Sequence, residues 1–328
     1  MTATFSSLRT AQARVADPAA AMPAGARPSV PGLELELVGY SGARVLLLRE
    51  PGGWPFVRKI AGSAGQNERL KSQASKQQRV GRLLAGLAST PEILGEGEIE
   101  GRYFFDMSYV RGLDGISWLR TAGFEGVSRF ARSLIAVMEA FAGTREEQRG
   151  PFDFRRAVFD KCSSVAGTLR DLDPEAASAV DRLVAALHDW RPGLLEPCMC
   201  HGDFTLENLI VTPSGELILI DLLDSYLDHW LADVAKLGQD LQAGWYLRHH
   251  PPLAMSVVHY LRTEIERAVV KFDGDERNLA VVQVLIATNL ARILPYAKTS
   301  AERRFVYHRM LHFTSNIETS HLASLEKT

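Results

Sequence analysis

The segment Cys200-His201-Gly202-Asp203-Phe204-Thr205-Leu206-Glu207-Asn208 is the richest in groups that could do chemistry. A His-Gly-Asp turn is followed, five residues after its Asp, by an Asn. Thirteen residues further on, Asp221 ends the apolar run Leu217-Ile218-Leu219-Ile220. Phosphoryl transfer needs such a set. A carboxylate must accept the proton of the attacking hydroxyl, and Asp203 is spaced for that task. Hard oxygen ligands must hold Mg²⁺ against a triphosphate, and Asn208 with Asp221 supply them. What remains for the protein is positioning and charge neutralisation. A lone Asp in a loop is more often a turn former or a helix cap. These three differ because they are fixed residue types at fixed intervals in a strand–loop–strand context.

The elements around them follow from periodicity. Leu33, Leu35 and Leu37 alternate with Glu34 and Glu36, a half-buried strand. Gly39-Tyr40-Ser41-Gly42 turns the chain into a strand over Arg44 to Arg49, and Pro51-Gly52-Gly53 turns it into a third over Phe56 to Ile60. A helix is predicted from Asn67 to Leu87, then strands over 91–94 and 102–110 with a turn at Glu100-Gly101. From Ile116 helical periodicity dominates, over 127–141, 155–172, 174–189 and from Leu231 to the end, with Pro251-Pro252 as a break. Cys198 to Asp224 interrupts it with two short strands. The expected architecture is a β-rich lobe over 31–108 and a mostly helical lobe over 109–328. Residues 1–30, with Asp17 as their single acid, are expected to be a disordered tail. A transit peptide is the alternative, given Arg9, Arg14 and Arg27.

Composition limits the class. A chain of 328 residues allows about two packed units. At 46% hydrophobic and 23% charged it is globular rather than disordered. Lys plus Arg is 37 and Asp plus Glu is 39, a net charge of −2, so no global field exists to hold a polyanion and nucleic acid is not expected as a partner. The longest uncharged apolar stretch, Leu279 to Leu290, is too short to span a bilayer, and no membrane is expected as a partner. Three cysteines do not make a disulfide framework and suit a reducing cytoplasm, and Cys198-x-Cys200 reads as buried thiols.

Other residues support the reading to different degrees. Alternation on the third strand lets only one of Arg58 and Lys59 face a ligand. Gly39-x-x-Gly42 is either a plain hairpin turn or a loop laying backbone N–H groups over phosphates. Met107-Ser108-Tyr109-Val110 would offer backbone groups to an adenine edge. Asp224, Asp228 and Asp240 are either ligands for a cationic or polyhydroxylated substrate or a solvated, capping set.

With these residues in hand, the chain resembles the aminoglycoside phosphotransferase/choline kinase family, small-molecule relatives of the protein-kinase fold, over most of residues 33 to 300. The resemblance implies an α+β, bilobal protein-kinase-like fold and a kinase using ATP (GTP is possible) and Mg²⁺ to phosphorylate a hydroxyl of a sugar, amino alcohol or aminoglycoside-like acceptor. It makes Asp203 the base, Asn208 and Asp221 the metal ligands, and Asp233 a structural acid. It selects Lys59 over Arg58 for the phosphates. Gly39, Ser41, Gly42, Met107 and Tyr109 join the nucleotide site, and Asp224, Asp228, Arg292 and Tyr296 the acceptor site. Where the family pairs its lysine with a helix Glu, alignment on Leu84 offers Gln77, with Glu68 as the alternative. The wording Phe105-Asp106-Met107-Ser108-Tyr109 and Arg292-Ile293-Leu294-Pro295-Tyr296 is similar to a bacterial branch often found near capsule or surface-polysaccharide genes. Two other functions compete. Gly202, Leu222-Leu223 and the short span from Asp221 to Asp233 argue against a protein kinase, and only the missing Glu points to a pseudokinase or nucleotide-binding scaffold.

Overall fold

Strands form where apolar and polar residues alternate, and in the computed structural model they assemble into one six-stranded sheet. The structure describes residues 3–4, 32–38, 42–145, 153–188, 190–193, 195–274 and 277–325. The strands are β1 (Ala3–Thr4), β2 (Gly32–Val38), β3 (Arg44–Arg49), β4 (Pro55–Ile60), β5 (Ile93–Ile99) and β6 (Arg102–Ser108), in the order β1-β2-β3-β4-β6-β5. Only β1 pairs in parallel, with Leu37 and Val38 of β2. Of the tail expected over residues 1–30, this two-residue strand alone is described; the rest lies outside the described residues. Glu100 and Gly101 both take positive φ, 52° and 72°, the twist that closes the tight β5–β6 hairpin.

Helix α1 (Asn67–Leu83) lays Leu70 and Ala74 on Tyr103 and Phe105. It ends four residues before the expected Leu87, ahead of Gly86 at φ 84°. Past β6 come β7 (Leu113–Asp114) and the short helix α2 (Gly115–Leu119), which Asp114 caps by accepting from Ile116 N and Ser117 N. Two residues are too few for periodicity to reveal, and sequence reasoning missed β7. It pairs with β8 (Leu209–Val211), which pairs with β9 (Leu217–Leu219). All six residues of β8 and β9 are buried.

The chain divides into two compact units. The first holds the residues up to Thr121 together with Glu207–Asp224, so Asn208 and Asp221 belong with the sheet. The second, Ala122–Leu206 and Ser225–Thr328, is built from α3 (Phe124–Ala142), α4 (Phe154–Arg170), α5 (Pro174–His188), α6 (Trp230–Leu241), α7 (Met255–Asp273), α8 (Arg277–Ile293) and α9 (Ser300–Leu325). The span Arg277–Tyr296 is long and apolar enough to cross a membrane, but α8 buries Val281, Val284, Leu285, Ile286 and Leu290, and that core position accounts for its composition. The fold class is the expected one, α+β, with an antiparallel N-terminal sheet and a helical C-terminal part.

Candidate active site

In the first unit the pleat separates Arg58 from Lys59. Arg58 faces Asp106 across the β4–β6 ladder and binds it through two nitrogens at 2.7 and 2.8 Å, with its guanidinium 4.1 Å over the Phe104 ring. That forked contact occupies Arg58 and holds its proton more tightly than usual. Lys59 points the other way and is only 5% exposed. Its Nζ lies 2.6 Å from Asp221 Oδ1 and 3.0 Å from Gln73 Oε1. A lysine this buried needs such partners, because an unpaired charge out of water is costly. Asp221 takes φ 59°, the left-handed region that an Asp visits more readily than most residues, two residues past β9. Asn208 ends the short turn before β8, 7% exposed, and its carbonyl accepts from Ile220 N at 3.0 Å.

The helix partner of Lys59 is therefore Gln73, not Gln77 and not Glu68. Gln77 lies one turn further along the same face of α1, where its Nε2 donates to Pro91 O at 2.7 Å and approaches Met107 Sδ at 3.7 Å. Glu68 is in the first turn of α1, largely exposed and paired with Lys71 at 3.0 Å. Alignment on an apolar residue near the helix end cannot separate positions one turn apart; the reach of Lys59 does. Lys76 on the same helix, to which sequence reasoning gave no role of its own, donates to Leu223 O at 2.5 Å and so ties α1 to the segment that follows Asp221.

Gly39 and Ser41 lie outside the described residues. Gly42 is exposed at φ 75°, beside the side chain of Gln66. Met107, in β6, pairs with Val57 and Ile93, and Tyr109 follows the strand half-buried.

In the second unit Asp203 stands on a loop fixed through its backbone. Asp233 of α6, fully buried, accepts from His201 N at 2.5 Å and Gly202 N at 2.9 Å. Asp240, one helical stretch further, accepts from Leu206 N at 2.8 Å. Gly202 takes φ 90°, a conformation costly for a residue with a Cβ, and this is the position where a protein kinase would need Arg. The Asp203 carboxylate lies 3.1 Å from Lys236 Nζ, a second residue sequence reasoning missed. The signal was present: Lys236 follows Asp233 by one turn and shares its face.

Of the three acids left open between ligand and solvated or capping roles, Asp240 is a buried loop anchor. Asp228 accepts from Cys200 Sγ at 3.7 Å through its side chain and from Cys198 N at 3.0 Å through its carbonyl. Asp224 is exposed, and so is Tyr296 at 78%. Arg292 turns onto the ring of Tyr226, 4.8 Å from its centroid. All three cysteines are buried thiols, and burial pushes Cys162 up to about 11 and Cys198 up to about 12.

The first unit thus holds a strand lysine ion-paired to a carboxylate, and the second a loop carboxylate anchored by buried acids. The chain belongs to the phosphotransferase enzyme family, whose model matches residues 37–269. Among solved structures it is similar to an aminoglycoside-3'-phosphotransferase of type VIII, at 24% identity and TM-score 0.53, covering 78% of this chain and 93% of that one. It is also similar to APH(2")-IIia in its GDP and kanamycin complex, at 14% identity and TM-score 0.56, covering 88% and 94%. A third likeness is to the choline kinase LicA from Streptococcus pneumoniae, at 15% identity and TM-score 0.54, covering 85% and 92%. No protein of curated function matches the sequence.

Proposed function

We propose that this phosphotransferase moves the γ-phosphoryl group of ATP, or of GTP, to a hydroxyl of a small molecule with the help of Mg²⁺. The observation that carries the reading is the 2.6 Å ion pair of buried Lys59 with Asp221, held in a left-handed backbone conformation two residues past β9. Asn208 and Asp221 are hard-oxygen donors of the kind Mg²⁺ prefers, and two such side chains suffice when phosphates and water complete the octahedron. Among the described residues no cluster of three or more His, Cys, Asp or Glu could enclose a metal alone, which also suits an ion bound with its nucleotide.

In this reading Mg²⁺ neutralises charge on the phosphates when bound. Lys59 binds phosphate oxygens, and Gln73 orients the ammonium by a neutral hydrogen bond. Asp203 accepts the proton of the acceptor hydroxyl as that oxygen attacks, and Lys236 holds the carboxylate in place. Residues 31–108 serve as the nucleotide lobe, with Gly42 and Met107 among its contacts and Tyr109 just past its end, and residues 109–328 as the catalytic and acceptor lobe. The similar structures include proteins named for aminoglycoside, choline and macrolide phosphorylation, which supports a small hydroxyl compound as acceptor. Buried thiols fit a cytoplasmic location.

A nucleotide-binding scaffold is the second reading, favoured by the neutral Gln73 beside Lys59. Thermal stability with ATP and GTP, with and without Mg²⁺, followed by an acceptor screen, separates the two. Mg²⁺-dependent stabilisation with turnover on a hydroxyl compound is expected. Stabilisation without turnover on any acceptor would favour the scaffold, and no stabilisation by either nucleotide would sink both.

A further inference from the structure

Within the second unit, two cations converge on one aromatic ring. Arg292, in the last turn of α8, lies 4.8 Å from the centroid of Tyr226, and Lys161 of α4 lies 5.9 Å from the same centroid. The helices that carry them are locked together one residue from Lys161, where Cys162 Sγ meets Thr288 Oγ1 at 3.5 Å. Thr288 precedes Arg292 by one turn and shares its face. The juxtaposition is therefore set by helix packing and not by two flexible surface chains.

Neither cation has an acid. Among the described residues no carboxylate lies within ion-pair distance of Lys161 or Arg292; the Arg292 guanidinium reaches two neutral groups, Asn289 Oδ1 at 3.5 Å and the Tyr226 phenol. Both residues are half-buried. Burial first, and the Arg292 charge second, push the Lys161 ammonium below its usual range. Burial pushes the Tyr226 phenol up, which keeps the ring neutral. Half-buried charges are ordinarily paired, and like charges brought together cost more still. A guanidinium carries five N–H donors, more than Asn289 and Tyr226 take up, and the remainder suit a two-pronged contact with a carboxylate or phosphate.

The cluster also lies close to the proposed base along the chain. Tyr226 is two residues before Asp228, which bonds to Cys198 N and to Cys200 Sγ, and Asp203 follows three residues after Cys200. We infer that Lys161, Arg292 and Tyr226 form a subsite for an anionic group, a carboxylate or a phosphate, borne by the acceptor. This inference rests on the phosphotransferase reading for the word acceptor, but the anion site itself does not.

The test is isothermal titration of the full chain, preloaded with ADP and Mg²⁺ to fill any phosphate-binding nucleotide site. The probes are D-glucuronate, D-glucose 6-phosphate, D-glucose and D-glucosamine. At least one of the two anions should bind about tenfold tighter than glucose, as expected for one charge-assisted contact, with glucosamine weakest. Which anion wins tells carboxylate from phosphate. Arg292→Gln and Lys161→Met should each remove most of that preference, and Arg292→Lys should restore part of it. Equal binding of glucose and both anions, no binding of either anion, or a preference unmoved in folded variants would overturn the inference. Should the variants fail to fold, the order among the four probes on the native chain decides alone. The same titrations without nucleotide keep the two readings apart. Anion binding that needs Arg292, in a protein that ATP and GTP never stabilise, would retain the site and remove the kinase.

Discussion

Two carboxylates, Asp221 in the first unit and Asp203 in the second, are exposed to a similar extent, 24% and 26%, yet they are held by different means. Asp221 depends on side chains: Lys59 at 2.6 Å, itself steadied by Gln73, with a positive-φ backbone beneath. Asp203 depends on its loop. Buried acids grip the backbone on both sides of it, Asp233 at His201 N and Gly202 N and Asp240 at Leu206 N, before Lys236 touches the carboxylate. A side-chain network can exchange partners when a ligand arrives, because Lys59 need only swap one oxygen for another. A backbone anchored by buried carboxylates cannot move cheaply, and a general base has to be in place before its proton is. The two constructions match the two tasks proposed for them.

The comparison breaks most severely at Asp203. Asp203→Asn keeps the size and the loop but removes the proton acceptor, and kcat should fall about 10³-fold. Nucleotide-dependent stabilisation should survive, since Asp203 lies outside the first unit. Retained turnover in this variant would end the assignment. Next in size is Asp233→Ala, which strips the acceptor from two backbone N–H groups inside the protein. A loss of about 3 kcal/mol in denaturant unfolding is expected. A loss under about 1 kcal/mol would show that the loop is not held from α6.

How much of this could be read beforehand differs between the same two regions. Asp203, Asn208 and Asp221 lie within one short span, where residue types and spacing carry the pattern and the resemblance adds Asp233, and the sheet announces itself by alternation and turns. The pleat puts Arg58 and Lys59 on opposite faces, and the resemblance chooses between them. Gln73 and Gln77 are not separable in this way, because both lie on the same stripe of α1 and only the three-dimensional reach of Lys59 chooses. Lys161 and Arg292 are 131 positions apart. Nothing in either helix says that Cys162 and Thr288 will meet and bring them together. The acids Asp228 and Asp240 were legible as acids, but their capture by Cys200 and by the loop backbone was not. Local chemistry was readable, and long-range pairing was not.

Lys236 tests whether the base needs more than its anchored loop. Lys236→Met removes one partly exposed charge, worth about 1 kcal/mol or somewhat more, so kcat should fall about tenfold. The KM for nucleotide should stay where it is, and Lys236→Arg should recover much of the loss. A structural role would instead lower the melting temperature in both variants and leave kcat untouched.

The smallest effect separates two neighbouring glutamines. Gln73→Ala removes one of the two hydrogen-bond partners of Lys59 seen in the structure, while Asp221 still neutralises its charge. A neutral hydrogen bond is worth about 1 kcal/mol, so the nucleotide KM should rise roughly fivefold. Gln77→Ala takes a donor from Pro91 O instead, and its cost should appear in the melting temperature rather than in that constant. Glutamate sharpens the contrast. At position 73 it would meet Lys59 and form an ion pair, which a buried lysine accepts readily. At position 77 its carboxylate would face the Pro91 carbonyl in a buried setting, acceptor against acceptor, which should destabilise the fold by about 2 kcal/mol. If Gln77→Glu were the tolerated change and Gln73→Glu the damaging one, the assignment of the helix partner would reverse. In that case Lys59 would draw on a different turn of α1 in solution.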